Sequence, residues 1–459
     1  MNYRFLLPAI ALLLMPPAPG RAALTEAEVQ RTLAPRFQAG LLQAVSVGVV
    51  QPGGTLLVHG GTLAPDLSAA PSDRTLYEIG SITKVFTGLL LADAVVRGEV
   101  TLDTTLSTLL PPDVVLPDGA GDRITLRMLS THTSGLPRIP VEIPADDYRD
   151  PYARYGETEL WATLCRVKLD FPPGEKASYS NLAAGLLGTL LARRAGVSFE
   201  TLLAERIARP LGLVDTGVAV PERDQARRAP PFTSAGQPWT PWDFKALAGA
   251  GGIRSSLADM VRFATVMLQP KGHPLEAAIE LAWTKQTLKQ SLTPGGQGLG
   301  WMVAGDGRTR WHNGMTGGFH AALFVNRDLG IATVLLSNRS HPAGTEIAEE
   351  LVRRAAGLPE RVAPNRDRAE VALTIEQLDR CVGTFRLAPQ FALTFERQNL
   401  ALFLTPTGQP QSRLFSASPD TFFSRLVLAD VVFELPADGG PATAVVLKQN
   451  GREIRGLRE

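Results

Sequence analysis

Ser81-Ile82-Thr83-Lys84-Val85-Phe86-Thr87-Gly88-Leu89-Leu90-Leu91-Ala92-Asp93-Ala94-Val95-Val96-Arg97-Gly98 carries the deciding pattern of the chain. Val85, Leu89, Ala92 and Val96 recur at helical spacing, which predicts a helix from about residue 82 to 97 with Ser81 at its mouth and Gly98 at its stop. Upstream, the β-rich runs 44–50 and 55–59 flank Gln51-Pro52-Gly53-Gly54 and read as a hairpin. Downstream, from about residue 101 to 248, mostly helical segments alternate with Pro-rich loops. They are 157–167, 182–195 ending at Gly196, and 199–208 stopped by Pro210. β character returns at 300–303, 321–326 and 331–337, before a helix near 345–356. The expected fold is α+β: an antiparallel sheet fed by strands from both ends of the first domain, with packed helices and an inserted helical region.

The same stretch carries chemistry. Ser81 and Lys84, at i and i+3, share one helical face about a turn apart, so a neutral lysine could take the serine's proton. A helix start adds unpaired backbone N–H groups able to hold an oxyanion. Alone the pair is weak, since 20 Ser and 8 Lys give about 0.35 such matches by chance, and it also reads as a serine cap before a solvated lysine. The chain prefers Arg, with 38, to Lys, yet uses Lys where a group must deprotonate. Tyr179-Ser180-Asn181 places a phenol able to shuttle protons and an amide able to bind a carbonyl just before a helix; the alternative is an aromatic before an ordinary Asn cap. In His312-Asn313-Gly314, on a predicted edge strand, alternation sends His312 and Gly314 to one face, where glycine permits close approach of a substrate backbone.

The rest of the chain bounds the function. Its 459 residues suggest two or three domains, and 46 Lys+Arg against 45 Asp+Glu disfavour a nucleic-acid-binding protein. With 44% hydrophobic residues it can bury substantial cores, and 43 Gly with 35 Pro stay below the level of a disordered chain. Two cysteines and no HExxH pattern exclude a disulfide scaffold and disfavour metal chemistry, so neither a metal nor a cofactor is expected. Cys165 and Cys381 fall in different predicted domains and read as buried small apolar residues. Arg4, the apolar run 5–15 and Gly20-Arg21-Ala22 read as an export signal, residues 1–22, cleaved after Ala22, which predicts a periplasmic or secreted protein. The domain reading is a first α+β domain over 24–356, a Pro- and charge-containing linker over 357–370, and a small all-β domain over 371–459. Its predicted strands are 391–395, 400–404, 431–435 and 444–449.

In this order and spacing, Ser-x-x-Lys, Tyr-x-Asn and His-x-Gly resemble the serine β-lactamase and D,D-peptidase superfamily, in particular its class C-type branch with D-aminopeptidases and family VIII esterases. Residues 124–137, Pro210-Leu211-Gly212-Leu213, residues 250–256 and Gly298-Leu299-Gly300-Trp301 extend the similarity over roughly 30–356. The resemblance implies a β-lactamase/transpeptidase-like fold. It makes Ser81 the acylated nucleophile, with Lys84 and Tyr179 sharing general base and acid work. It makes Asn181, His312 and Gly314 substrate-binding, and the backbone N–H groups of Ser81 and Met315 the oxyanion hole. His312 stands where antibiotic-degrading class C enzymes have a lysine, so a group titrating near 6.5 replaces a fixed ammonium beside the substrate carboxylate. His132 and His320 are expected to pack or hydrogen-bond. The expected function is a periplasmic serine hydrolase acting through an acyl-enzyme on a β-lactam, D-amino-acid peptide or small ester. The alternative is a penicillin-binding-type receptor or scaffold with little turnover. The expected partner is a small-molecule or peptide substrate, and the terminal β domain either binds a cell-wall partner or merely covers hydrophobic surface.

Overall fold

The computed structural model describes residues 23–140, 142–143, 149–358, 365, 368–407, 411–425, 427–449 and 451–459. The expected export signal, 1–22, lies outside them.

The β-rich runs at the two ends of the first domain meet in one seven-stranded antiparallel sheet. Its strand order is Gly54–Gly61, Ala44–Gln51, Ile331–Ser337, His320–Asn326, Arg310–Met315, Met302–Val303 and Gly296–Gln297. The N-terminal hairpin joins the last strand, Val47 opposite Leu335, so the sheet closes only when both ends of the domain are present. Every residue of His320–Asn326 and Ile331–Ser337 is buried because both sheet faces are covered. Period-two alternation sends Ala322, Phe324 and Leu335 into one core with Val29, Leu33, Ile347 and Leu351. Leu323, Val325, Val334 and Leu336 go into the larger core on the opposite face.

The outer layer pairs helix Glu26–Gln38, begun by a Thr25–Glu28 capping box, with helix Ala343–Ala355. A buried Arg36–Glu350 ion pair of 2.7 Å joins them across most of the sequence. On the other face lie Leu257–Leu268 and the helix of the opening motif, observed as Thr83–Val96 after a 3₁₀ turn at Gly80–Ile82. That helix is not amphipathic. Every residue from Thr83 to Ala94 is buried, while Val96, expected on the apolar face, is 51% exposed. The helix lies between sheet and inserted helical region, so contact on all sides overrides a single stripe. Phe86 stacks on Phe263 with ring centres 4.4 Å apart as part of this packing. Pro210 does not end the helix begun at Phe199 either. A π turn at Ala204–Ala208 widens the backbone, and a last turn carries Pro210 near its start before the left-handed Gly212.

The terminal β segment is a closed barrel of eight antiparallel strands, from Gly383–Ala388 to Arg452–Arg458, which pair with each other to close it. Phe385, Phe395, Phe422 and Phe433 meet edge to face inside. Residues 365 and 368–370, assigned to the linker on composition, bond to this barrel: Asn365 to the Ser424 carbonyl, Arg368 to Asp430 and Glu370 to Arg413. Arg413 also donates to Ser234 Oγ of the hydrolase domain, and Phe415 lies against His341.

The cysteine expectation needs correction. Cys381 is buried among the barrel's apolar side chains, but Cys165, next after helix Glu157–Leu164, is exposed. The two thiols are free.

Candidate active site

Ser81 sits inside the 3₁₀ turn, and neither that turn nor the following helix is capped by a side chain. Its hydroxyl is therefore not spent on capping. Gly80 before it has a φ of +49°, and a Cβ there would come within 2.7 Å of the Met315 nitrogen. A Cβ on Gly314 would fall 1.9 Å from the Ile79 carbonyl oxygen and 2.8 Å from the Ser81 nitrogen. Two glycines thus let strand Arg310–Met315 lie directly on the nucleophile's turn.

The strand is not at the sheet edge, contrary to expectation. However, Met302–Val303 pairs only with Arg310 and Trp311, leaving residues 312–315 uncovered on that side. The Thr316 N–H bonds to the Phe319 carbonyl in the hairpin, so strand alternation turns the Met315 N–H the other way, toward Ser81. The amides of Ser81 and Met315 are thereby brought together where an oxyanion would need them.

Lys84 is 3% exposed. Its Nζ lies 2.7 Å from the Ala250 carbonyl oxygen, 2.8 Å from Asn181 Oδ1 and 3.1 Å from Ser81 Oγ. Burial, then the nearby charge of Arg138, hold the amine well below the ordinary lysine value. A neutral amine has two N–H groups and one lone pair. Carbonyl oxygens only accept, so Ala250 and Asn181 take both hydrogens, and the lone pair is left facing Ser81 Oγ. In its neutral form the lysine is therefore held in the orientation of a base.

Ser180, not Asn181, caps helix Asn181–Ala195: its Oγ accepts the Ala183 N–H at 2.9 Å. That division of labour frees the Asn181 side chain, which also donates to the Tyr152 hydroxyl at 3.2 Å. The Tyr179 hydroxyl lies near Ser81, and burial pushes its phenol well above the usual tyrosine value, so it stays protonated. Lys84 Nζ lies 4.7 Å from its ring centre, and His132 stacks on that ring at 4.4 Å while accepting the Ser180 N–H through Nδ1. Burial thus pushes the two neighbours in opposite senses, the amine toward the free base and the phenol toward the acid. His320, away from Ser81, bonds through Nε2 to Thr345 Oγ1.

His312 corrects the electrostatic expectation. Its Nδ1 faces the Asn313 carbonyl at 2.5 Å and must carry the hydrogen, which leaves Nε2 as an acceptor. Nε2 is buried with no partner among the described residues. Burial first, and then the charge of Lys84, push this imidazole down to about 3, so it is neutral near pH 7 and supplies no cation. Motif reading also passed over Tyr152, the Ala250 carbonyl, Arg138 and the indoles of Trp239 and Trp242 against Gly317. The Ala248–Gly251 run signals close packing but not that a carbonyl would face Lys84.

The Beta-lactamase family model matches residues 29–358. A beta-lactamase of Pseudomonas fluorescens is 29% identical over 68% of this chain and 93% of its own length. A beta-lactamase of Escherichia coli (strain K12) is 27% identical over 68% of the chain and 89% of its own length. The D-alanyl-D-alanine-carboxypeptidase/endopeptidase AmpH of Escherichia coli (strain K12) is 36% identical over 44% of the chain, which spans about half, 51%, of that relative. With the model matched across most of its length and the Ser81–Lys84–Tyr179–Asn181 cluster assembled in its core, the chain belongs to the Beta-lactamase family of serine hydrolases.

Proposed function

We propose that this serine hydrolase forms an acyl-enzyme at Ser81 and turns over β-lactams or peptides containing D-amino acids, with short esters as a further substrate class, after export from the cytoplasm. The observation that carries the reading is the hydrogen-bond set of Lys84, whose two accepting carbonyl partners reserve the amine lone pair for Ser81. Ser81 Oγ attacks the carbonyl carbon as its proton passes to Lys84, and the amides of Ser81 and Met315 hold the oxyanion. The Tyr179 phenol gives its proton to the departing nitrogen or oxygen and recovers one from the Lys84 ammonium. Water then attacks the ester, its proton leaving by the same pair, and Ser81 is restored. Asn181 holds Lys84 on one side and offers amide hydrogens on the other. Relatives named for β-lactam and D-alanyl-D-alanine chemistry support the substrate classes, and the pattern of residues 1–22 supports export.

The test is intact-mass measurement with a penicillin and with an uncharged phosphonate, in wild type and Ser81→Ala, beside turnover of β-lactam, D-alanyl peptide and p-nitrophenyl ester panels. A single adduct lost in Ser81→Ala and a substrate turned over are expected. Labelling that survives the mutation removes Ser81 from its role, and an adduct that never clears in any class favours a receptor. Protein recovered from the exporting cell should begin at Ala23.

A further inference from the structure

The proposed substrates include molecules with a carboxylate beside the scissile amide, yet the groups touching Ser81 supply no free cation. Lys84 is buried, and its hydrogens are directed at protein carbonyl oxygens when it is a base. His312 is buried beside it and uncharged.

Arg138 is different. Its side chain is exposed, and among the described residues no carboxylate pairs with it. Its guanidinium lies 5.4 Å from the centre of the Tyr179 ring, the ring whose hydroxyl meets Ser81 and beside which Lys84 sits. Its backbone is fixed in place: the Arg138 carbonyl accepts the Asn181 N–H at 2.8 Å, and the Pro137 carbonyl accepts Ser180 Oγ at 2.7 Å. The segment that seats Tyr179 and Asn181 therefore also carries a cation to the rim of the site. Its charge is felt inside, since it helps hold the lysine and His132 below their ordinary values. An unneutralised guanidinium over an aromatic face keeps its N–H edge available for a planar, bidentate anion.

We propose that Arg138 binds the carboxylate of the substrate, whether the C-terminal carboxylate of a peptide or that of a β-lactam, and so takes the electrostatic part that His312 cannot play. This rests on the acyl-enzyme reading above.

The experiment measures kcat/KM for an N-acyl D-alanyl-D-alanine peptide against its C-terminal amide, and for a penicillin against its methyl ester, in wild type, Arg138→Leu, Arg138→Lys and Arg149→Ala. Arg149 is the control because its guanidinium also lies over an aromatic at the site, 5.1 Å from the Trp239 ring. The free-acid-to-neutral ratio should fall about 10- to 100-fold in Arg138→Leu, chiefly through KM, and by less in Arg138→Lys, which keeps the charge but not the fork. A fall in both substrate pairs identifies the shared carboxylate, and a fall in one assigns its source. An unchanged ratio, including equal losses on acid and neutral partners, overturns the proposal, as does a ratio that responds to Arg149→Ala and not to Arg138→Leu. Failure of the underlying reading shows separately, as wild-type protein that takes no Ser81-dependent adduct from the uncharged phosphonate.

Discussion

Gly314→Ala places a methyl group where there is no room. Its Cβ would lie 1.9 Å from the Ile79 carbonyl oxygen and 2.8 Å from the Ser81 nitrogen. A carbon–oxygen contact is comfortable at about 3.3 Å, so strand and turn must part by about 1.4 Å. Both neighbours are backbone, and no side chain can rotate away to relieve the contact. The displacement separates the amides of Ser81 and Met315, the pair that would hold an oxyanion. A shift of about 1 Å in a catalytic constellation costs on the order of 100-fold in rate, equivalent to about 2.7 kcal/mol. Overpacking costs the fold about 1–3 kcal/mol, which a chain with three cores should survive with a lowered melting temperature. The assay is stopped-flow acylation by a chromogenic β-lactam or p-nitrophenyl ester, with circular dichroism and thermal unfolding on the same preparation. The expected result is a native spectrum with acylation about 100-fold slower. A folded Gly314→Ala enzyme that acylates within about threefold of wild type, under about 0.7 kcal/mol, would refute the contact between strand and turn as the support of the oxyanion site.

Lys84→Arg keeps a positive charge but no accessible free base, in a site 3% exposed, so acylation should fall about 10²- to 10⁴-fold; near-normal burst kinetics would remove Lys84 as the base. The required form of Lys84 is the amine, so activity should rise with pH through a value well below 10.5, and an acid limb set by an ordinary lysine would contradict the burial argument. Because His312 is held at about 3, the kcat/KM ratio of carboxylated to neutral substrates should stay flat from about pH 5 to 8, and a bend near the reference histidine value of about 6.5 would show a charged His312. In the folded protein one thiol, Cys165, should react with a disulfide reagent, and Cys381, pushed up to about 12 by burial, should react only after unfolding; two fast thiols or none would contradict the assigned exposures. A chain ending at residue 358 should still acylate at Ser81, since the barrel has its own core, but melt at lower temperature as Ser234 and His341 lose Arg413 and Phe415; loss of acylation with the sheet intact would mean that the barrel shapes the site.

What the sequence by itself determined is local. Ser81 and Lys84 are three residues apart on one helical turn, so backbone geometry guarantees their meeting wherever that turn forms. The hairpin at Gln51–Gly54 and the mostly apolar strands near 321–326 and 331–337 are likewise short-range patterns. Tyr179, Asn181 and His312 were legible only as members of a recurring set of motifs, because nothing in their own neighbourhoods brings them to Ser81. Tertiary structure decided the rest. Asn181 and the Ala250 carbonyl reach Lys84 from 97 and 166 residues away. Eight strands close where four were legible, since Arg452–Arg458 carries little apolar pattern and is held by pairing with Ala444–Gln449 on one side and with Phe385 and Arg386, at the barrel's other end, on the other. The charge on His312 is the sharpest case. Composition fixes an imidazole, but whether it carries a proton depends on the water it loses and the lysine beside it, a setting that exists only once distant segments have packed around it.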